Sequence, residues 1–83
     1  MIKMYTTNWC PWCQRAKRVL EEKGLKFDEI NIEELEMSRD ELEKITGGRS
    51  VPQIVINNKP IGGFDNLFAL NQSGKLDELV QSQ

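Results

Sequence analysis

The chain has 83 residues, 39% of them hydrophobic and 29% charged, with a net charge of −2. That length bounds it to one domain spanning 1–83, and the mix is that of a globular chain rather than a disordered one. The charge is too small to call for nucleic acid or a membrane surface as partner. No apolar run approaches the roughly 20 residues that a bilayer span needs. The start, Met1-Ile2-Lys3-Met4-Tyr5, carries no apolar export segment, so a cytoplasmic location is expected.

Ile2 to Thr6 is β-prone and reads as a short strand, followed by a loop through Asn8, Trp9 and Cys10. Pro11 opens a helix, where its missing N–H costs nothing. Cys13, Ala16, Val19 and Leu20 form its apolar stripe, Arg15, Lys17 and Arg18 fall largely outside that stripe, and Gly24 stops the helix. Leu25 to Ile32 reads as a second strand, parallel to the first in a βαβ unit. Ser38 and Glu41 form a capping box for a second helix that buries Leu42 and Ile45 and ends at Gly47-Gly48. Gln53 to Ile56, the turn Asn57-Asn58 and Lys59 to Ile61 read as a hairpin, with Pro60 placing its second strand at a sheet edge. After Gly62-Gly63, Asp65 is expected to cap a third helix that buries Leu67, Phe68 and Leu70. Gly74 ends it, and Leu76, Leu79 and Val80 supply a short helical tail. The order β-α-β-α-β-β-α gives an α/β fold with a mixed four-stranded sheet and helices on both faces.

The chain has two cysteines, Cys10 and Cys13, and no histidine. A bridge between them closes so small a loop that it removes little entropy from the unfolded chain, so the pair reads as chemical rather than structural. A zinc site wants four nitrogen or sulfur ligands, and the chain offers neither a histidine nor a second cysteine pair. The position of Cys10-Pro11-Trp12-Cys13, between a first strand and a first helix, carries the reading. A cysteine just before a helix faces unpaired backbone N–H groups and the positive end of the helix dipole. Such placement lowers a thiol pKa from about 8.5 to roughly 3.5–7.5. Cys10 is therefore the expected nucleophile. Cys13, inside the first turn, is the resolving thiol that attacks the mixed disulfide and leaves a Cys10–Cys13 bond.

These residues also carry a family resemblance. Met4 to Cys13 resembles the first strand and C-P-Y-C active site of the glutaredoxins, with Trp12 where tyrosine is usual. Thr46 to Ile54 resembles the family's T-G-x-R-T-V-P stretch, and Ile61 to Leu67 its I-G-G-x-D-D-L stretch. Together the three motifs run over nearly the whole chain. The resemblance implies a thioredoxin-like fold, glutathione as co-substrate and no metal. It implies a monomer that reduces disulfide-bearing or glutathionylated proteins. It further implies a cis Val51-Pro52 bond facing the cysteines, with the backbone of Val51 pairing with glutathione. By the same resemblance Asp65 and Asn66 hold the γ-glutamyl end, Arg39 the glycine carboxylate, and Trp12 stacks over the peptide. Three departures stand out. Thr7 lies where many members have lysine, Asn66 where aspartate is common, and Phe64 where some have a third cysteine. Trp9 reads as a partly buried loop anchor.

Two further readings share the motif. One is a redoxin reduced by thioredoxin reductase, against which the Val51-Pro52 and Gly63–Asp65 stretches argue. The other is a dimer holding a [2Fe–2S] cluster through the first cysteine of each copy and two glutathiones. Pro11, which stiffens the loop, and the bulk of Trp12 disfavour it.

Overall fold

The computed structural model describes residues 1–81. Eight elements follow in order: β1 (Ile2–Thr6), α1 (Pro11–Glu22), β2 (Asp28–Asn31), α2 (Arg39–Thr46), β3 (Gln53–Ile56), β4 (Lys59–Gly62), α3 (Phe64–Ser73) and α4 (Lys75–Gln81). The sheet order is β2-β1-β3-β4. β1 runs parallel to β2 and antiparallel to β3, and β4 lies antiparallel to β3 at the edge. The mixed four-stranded sheet of the thioredoxin-like fold is thus as expected.

Strand alternation divides the apolar residues between two faces. Ile2 and Met4 of β1 and Ile54 and Ile56 of β3 pack with Ala16 and Leu20 of α1, Leu67 of α3 and Leu76 of α4. Tyr5 and Val55 point the other way and pack with Ile32 and with Leu42 of α2. α1 and α3 therefore share one core, and α2 covers the other. The β3–β4 hairpin turns at Asn57 and Asn58, with φ of 49° and 69°. Two positive φ values in a two-residue loop match the twist of the strands they join. Pro60 lies in the edge strand, where its missing donor leaves no inner ladder bond unmade.

Four local expectations are corrected. The second strand begins at Asp28, not Leu25, because Gly24 takes a left-handed conformation and the Leu25 N–H still donates to Leu20 O of α1. Leu25 and Phe27 instead pack against the larger core from the connecting loop. Ile45 is 46% exposed. Thr46 takes the buried place four residues after Leu42, its hydroxyl donating to Leu42 O at 2.9 Å. Phe68 is also exposed, and stacks on Phe64. Asp65 does not cap α3: the N-cap is Gly63, two residues earlier, and Asp65 sits in the first turn. The capping box of α2 forms as expected, with Ser38 Oγ accepting from the Glu41 N–H and the Glu41 carboxylate accepting from the Ser38 N–H.

One ionic clasp ties α1 to the sheet. Lys17 Nζ lies 2.7 Å from Glu29 Oε2 of β2, and the hydroxyl of buried Thr6 donates to the same oxygen at 2.9 Å. The hydrogen bond from Lys17 is the largest influence and holds the Glu29 carboxyl below the usual 4.5; burial pushes the other way, and the weaker Thr6 hydrogen bond and the Lys17 charge add to the lowering. A carboxylate with a depressed folded pKa contributes stability above its unfolded pKa and loses it as pH falls through the folded value. Glu29→Gln is therefore expected to lower stability at pH 7 by less than about 1 kcal/mol, since the pair is partly solvated. The difference from the parent chain should shrink below pH 4.5, where Glu29 itself takes up a proton. Thermal melts of both chains at pH 7 and pH 3 check it; an equal gap at both would break the link to ionisation.

Candidate active site

Cys10 occupies the N-cap of α1, with extended backbone at φ −153° and ψ 94°. Its carbonyl accepts the first helical bond from the Gln14 N–H, and Pro11 begins the helix. The Cys13 N–H donates to Cys10 Sγ at 3.0 Å. The sulfur thus does what a serine or aspartate oxygen does at other helix starts, accepting from an otherwise unpaired N–H. The two cysteines are joined as a disulfide, with Cα atoms 5.1 Å apart. Cys10 is 9% exposed and Cys13 1%. That asymmetry is the one the sequence suggests: an outer sulfur at the mouth of the helix and an inner one behind it.

Beside this loop lies a cleft of about 540 Å³, lined by Trp12, Ser50, Val51, Pro52, Phe64, Asp65 and Asn66, with Gly63 in its wall. Its size is that of a small-molecule site. Three segments far apart in the chain build it. The Trp12 ring faces Phe64, with centroids 5.5 Å apart, and carries the Arg15 guanidinium 4.5 Å from its own centroid. The Ser50–Pro52 segment comes from the loop after α2. There the Thr46 hydroxyl accepts from the Gly48 N–H and donates to Gly48 O, while Arg39 Nη1 donates to Arg49 O at 2.8 Å. Arg49 in turn is held by Asp40 and by Glu43, whose carboxylates raise its pKa above the usual value. The Val51-Pro52 bond is cis, and Val51 stands just outside the β1–β3 register, which begins at Gln53. Its backbone is therefore not used by those ladders.

The third segment is the β4–α3 junction. Gly62 has φ 113°, a conformation that side chains disfavour, and a Cβ there would lie 2.3 Å from Asn66 Nδ2. That amide donates to Ile61 O at 3.0 Å. The glycine thus lets Asn66 fold back over the chain and fixes the entry to α3. Asp65 is exposed, with its carboxylate unpaired among the described residues.

The glutaredoxin family model matches residues 2–61, from β1 through the cysteine pair to β4. The chain belongs to the glutaredoxin family. A glutaredoxin of Pseudomonas aeruginosa is 44% identical over 81 residues, covering 98% of this chain and 96% of that protein. The solution structure of glutaredoxin from Brucella melitensis superposes with a TM-score of 0.83 at 40% identity, over 98% of this chain and 88% of that one. A buckwheat glutaredoxin–glutathione complex superposes with a TM-score of 0.86 at 26% identity, over 95% and 74%. As a glutaredoxin the protein is a thiol–disulfide oxidoreductase, and Cys10–Cys13 is its redox-active disulfide.

The site residues expected for this glutaredoxin divide into two groups. Trp12, Val51, Pro52, Asp65 and Asn66 meet along one cleft. Arg39 lies outside that lining, as the first residue of α2, with one guanidinium nitrogen on the Arg49 carbonyl. Besides Gly63, two cleft residues were not among those expected. Ser50 precedes the Val51-Pro52 pair, and Phe64, noted only for not being cysteine, forms the wall opposite Trp12. Its place between Gly62-Gly63 and Asp65 is the sequence signal for it. Trp9 is not a buried anchor: it is 85% exposed.

Proposed function

We propose that the protein is a glutathione-dependent reductase of glutathionylated and disulfide-bearing proteins, with glutathione seated in the Trp12–Val51–Asp65 cleft. One observation carries the reading: an outer sulfur that accepts a helix-start N–H stands beside a cleft lined by Val51, whose backbone the β1–β3 ladder leaves unused, and by the Asp65 carboxylate. That pattern suits a γ-linked tripeptide thiol with an ammonium, two carboxylates and a central peptide. A family relative of the same fold is a glutathione complex.

In the reaction, the Cys10 thiolate attacks the glutathione sulfur of a mixed disulfide. A Cys10–glutathione bond forms, the old S–S bond breaks, and the substrate sulfur leaves with the electron pair as thiolate. A second glutathione then attacks, restoring Cys10 and releasing oxidised glutathione. For a protein disulfide, Cys13 attacks the Cys10–substrate bond instead and leaves the bridge seen here.

Within the cleft, Val51 offers its backbone to the cysteinyl unit and Trp12 its ring face to the peptide. Asp65 takes the ammonium, and the start of α3 beside Asn66 takes the neighbouring carboxylate. Arg39 retains further N–H groups, besides the one given to Arg49, for the glycine carboxylate. The reaction belongs in a compartment that holds reduced glutathione, as the cytoplasm does.

The test is turnover of a small glutathione mixed disulfide with glutathione, glutathione reductase and NADPH. Robust turnover supports the reading; silence here, with the bridge still reducible by thioredoxin reductase, would move the protein to that other electron donor. Asp65→Ala is expected to raise the KM for glutathione on the order of tenfold, the weight of one charge-assisted hydrogen bond, with little change in kcat. An unchanged glutathione response would remove Asp65 from the site.

A further inference from the structure

We propose that a second groove, on the Cys10 side of the active-site loop, docks an acidic flank of the reactive cysteine of protein substrates. The groove encloses about 410 Å³. Cys10 lines this groove and does not line the cleft that holds Trp12 and Asp65. Trp9 and Pro11 give it an apolar side, and Gln14, Arg15 and Arg18 line it from α1. The active-site loop therefore separates two concave surfaces of different chemistry.

The groove's own groups say what fits. Trp9 is more exposed than any other large apolar side chain among the described residues. A solvated indole beside a nucleophile is a contact surface without its partner. Arg15 and Arg18 are three residues apart on α1, so they share a face. Neither has an ion pair among the described residues, whereas Lys17, Lys23 and Arg49 are each paired with a carboxylate. No acidic residue lines the groove. At the groove's edge the Asn8 N–H is already taken by Glu33, at 2.5 Å. On a chain of net charge −2, this is a local cationic surface with an aromatic at its edge. Its complement is a peptide with acidic residues beside its cysteine and an apolar residue to lie on Trp9.

The inference rests on the reading that the cleft takes glutathione. Glutathione ends within the cleft, whereas a polypeptide continues on both sides of its cysteine. When Cys10 bonds to such a cysteine, one flank takes the strand-like path along Val51 and the other crosses Cys10 into the groove. The groove thus ranks protein substrates without touching glutathione.

Exchange at the single thiol of Cys13→Ser tests this. Glutathionylated Cys13→Ser protein is equilibrated with a cysteine peptide, giving the protein–peptide disulfide and free glutathione, both read by mass spectrometry. Peptides of equal length carry either two aspartates or two serines beside the cysteine. The aspartate peptide is expected to exchange about tenfold further at low salt, with the preference fading as salt rises. Adding Arg18→Glu should reverse the preference, and adding Trp9→Ala should weaken exchange of both peptides. Equal exchange of the two peptides, or a preference that Arg18→Glu leaves intact, would overturn the proposal. Arg18→Glu in the parent chain should turn over a small glutathione mixed disulfide as before. Failure of the parent chain itself in that assay would instead sink the glutathione reading, a result separate from the peptide ranking.

Discussion

Cys10→Ser is expected to abolish turnover of a glutathione mixed disulfide, by on the order of 10³-fold or more, while Cys13→Ser keeps it. The serine hydroxyl is not ionised near neutral pH, so the attacking group is lost outright. Cys13 is 1% exposed, behind the sulfur whose charge its own N–H supports, and no step on a small mixed disulfide requires its thiol. A protein disulfide is different. Its mixed disulfide with Cys10 is cleared by an attack from within, so Cys13→Ser should lose most of that activity. Parallel assays on a glutathionylated substrate and on a protein disulfide separate the two roles. Equal loss of both activities in Cys13→Ser would mean that the one-thiol route does not operate.

Leu67→Ala is expected to be the most damaging of the substitutions outside the chemistry. Leu67 is the residue of α3 that is wholly buried, packed with Ile2, Met4, Leu20, Ile54 and Ile56 in the larger core. Truncating such a leucine costs about 2–5 kcal/mol through lost transfer energy and the cavity left behind. A domain of this length holds roughly 4–12 kcal/mol in all. The melting temperature should therefore fall by about 10–25 °C. Phe68→Ala, next door but exposed, should cost less than about 1 kcal/mol. The pair can be read in one thermal scan, and similar melting of the two variants would refute the division of α3 into one buried and one open face. Asp65 and Asn66 stand in the turn that Leu67 anchors, so a folded Leu67→Ala chain should also show a raised KM for glutathione.

Elements whose signals are local were legible in the sequence. β1, the Pro11 start of α1, the Ser38–Glu41 box and the Asn57-Asn58 hairpin each follow from a few adjacent residues, and each formed as expected. The cysteine pair was legible for the same reason, because its chemistry depends on its place at the start of a helix. What failed depended on contacts between distant segments. Ile45 and Thr46 compete for one buried position, and periodicity alone does not favour the threonine, whose hydroxyl is satisfied by Leu42 O and Gly48 O. Asp65 looked like a cap because it has the right side chain, but the turn at Gly62 and the folded-back Asn66 start the helix two residues sooner. Arg39 is a separate case, its proposed role resting on the family resemblance. Its neighbour in space is the Arg49 carbonyl, a contact no spacing rule contains. Trp9 and Arg18 have no sequence partner at all, and only the surface that gathers them beside Cys10 gives them a use.

The sulfur that reacts is also the sulfur that terminates α1. Its lone pairs answer to two claims, a backbone proton and a substrate's sulfur, and they satisfy each differently as thiolate, thiol, mixed disulfide or bridge. The Cys13 amide is consequently a built-in gauge of the electron density on Cys10. Its proton should resonate at a different position in each redox form, so that one backbone peak in a nitrogen-edited NMR spectrum of 15N-enriched protein follows the whole cycle without a dye or a substitution.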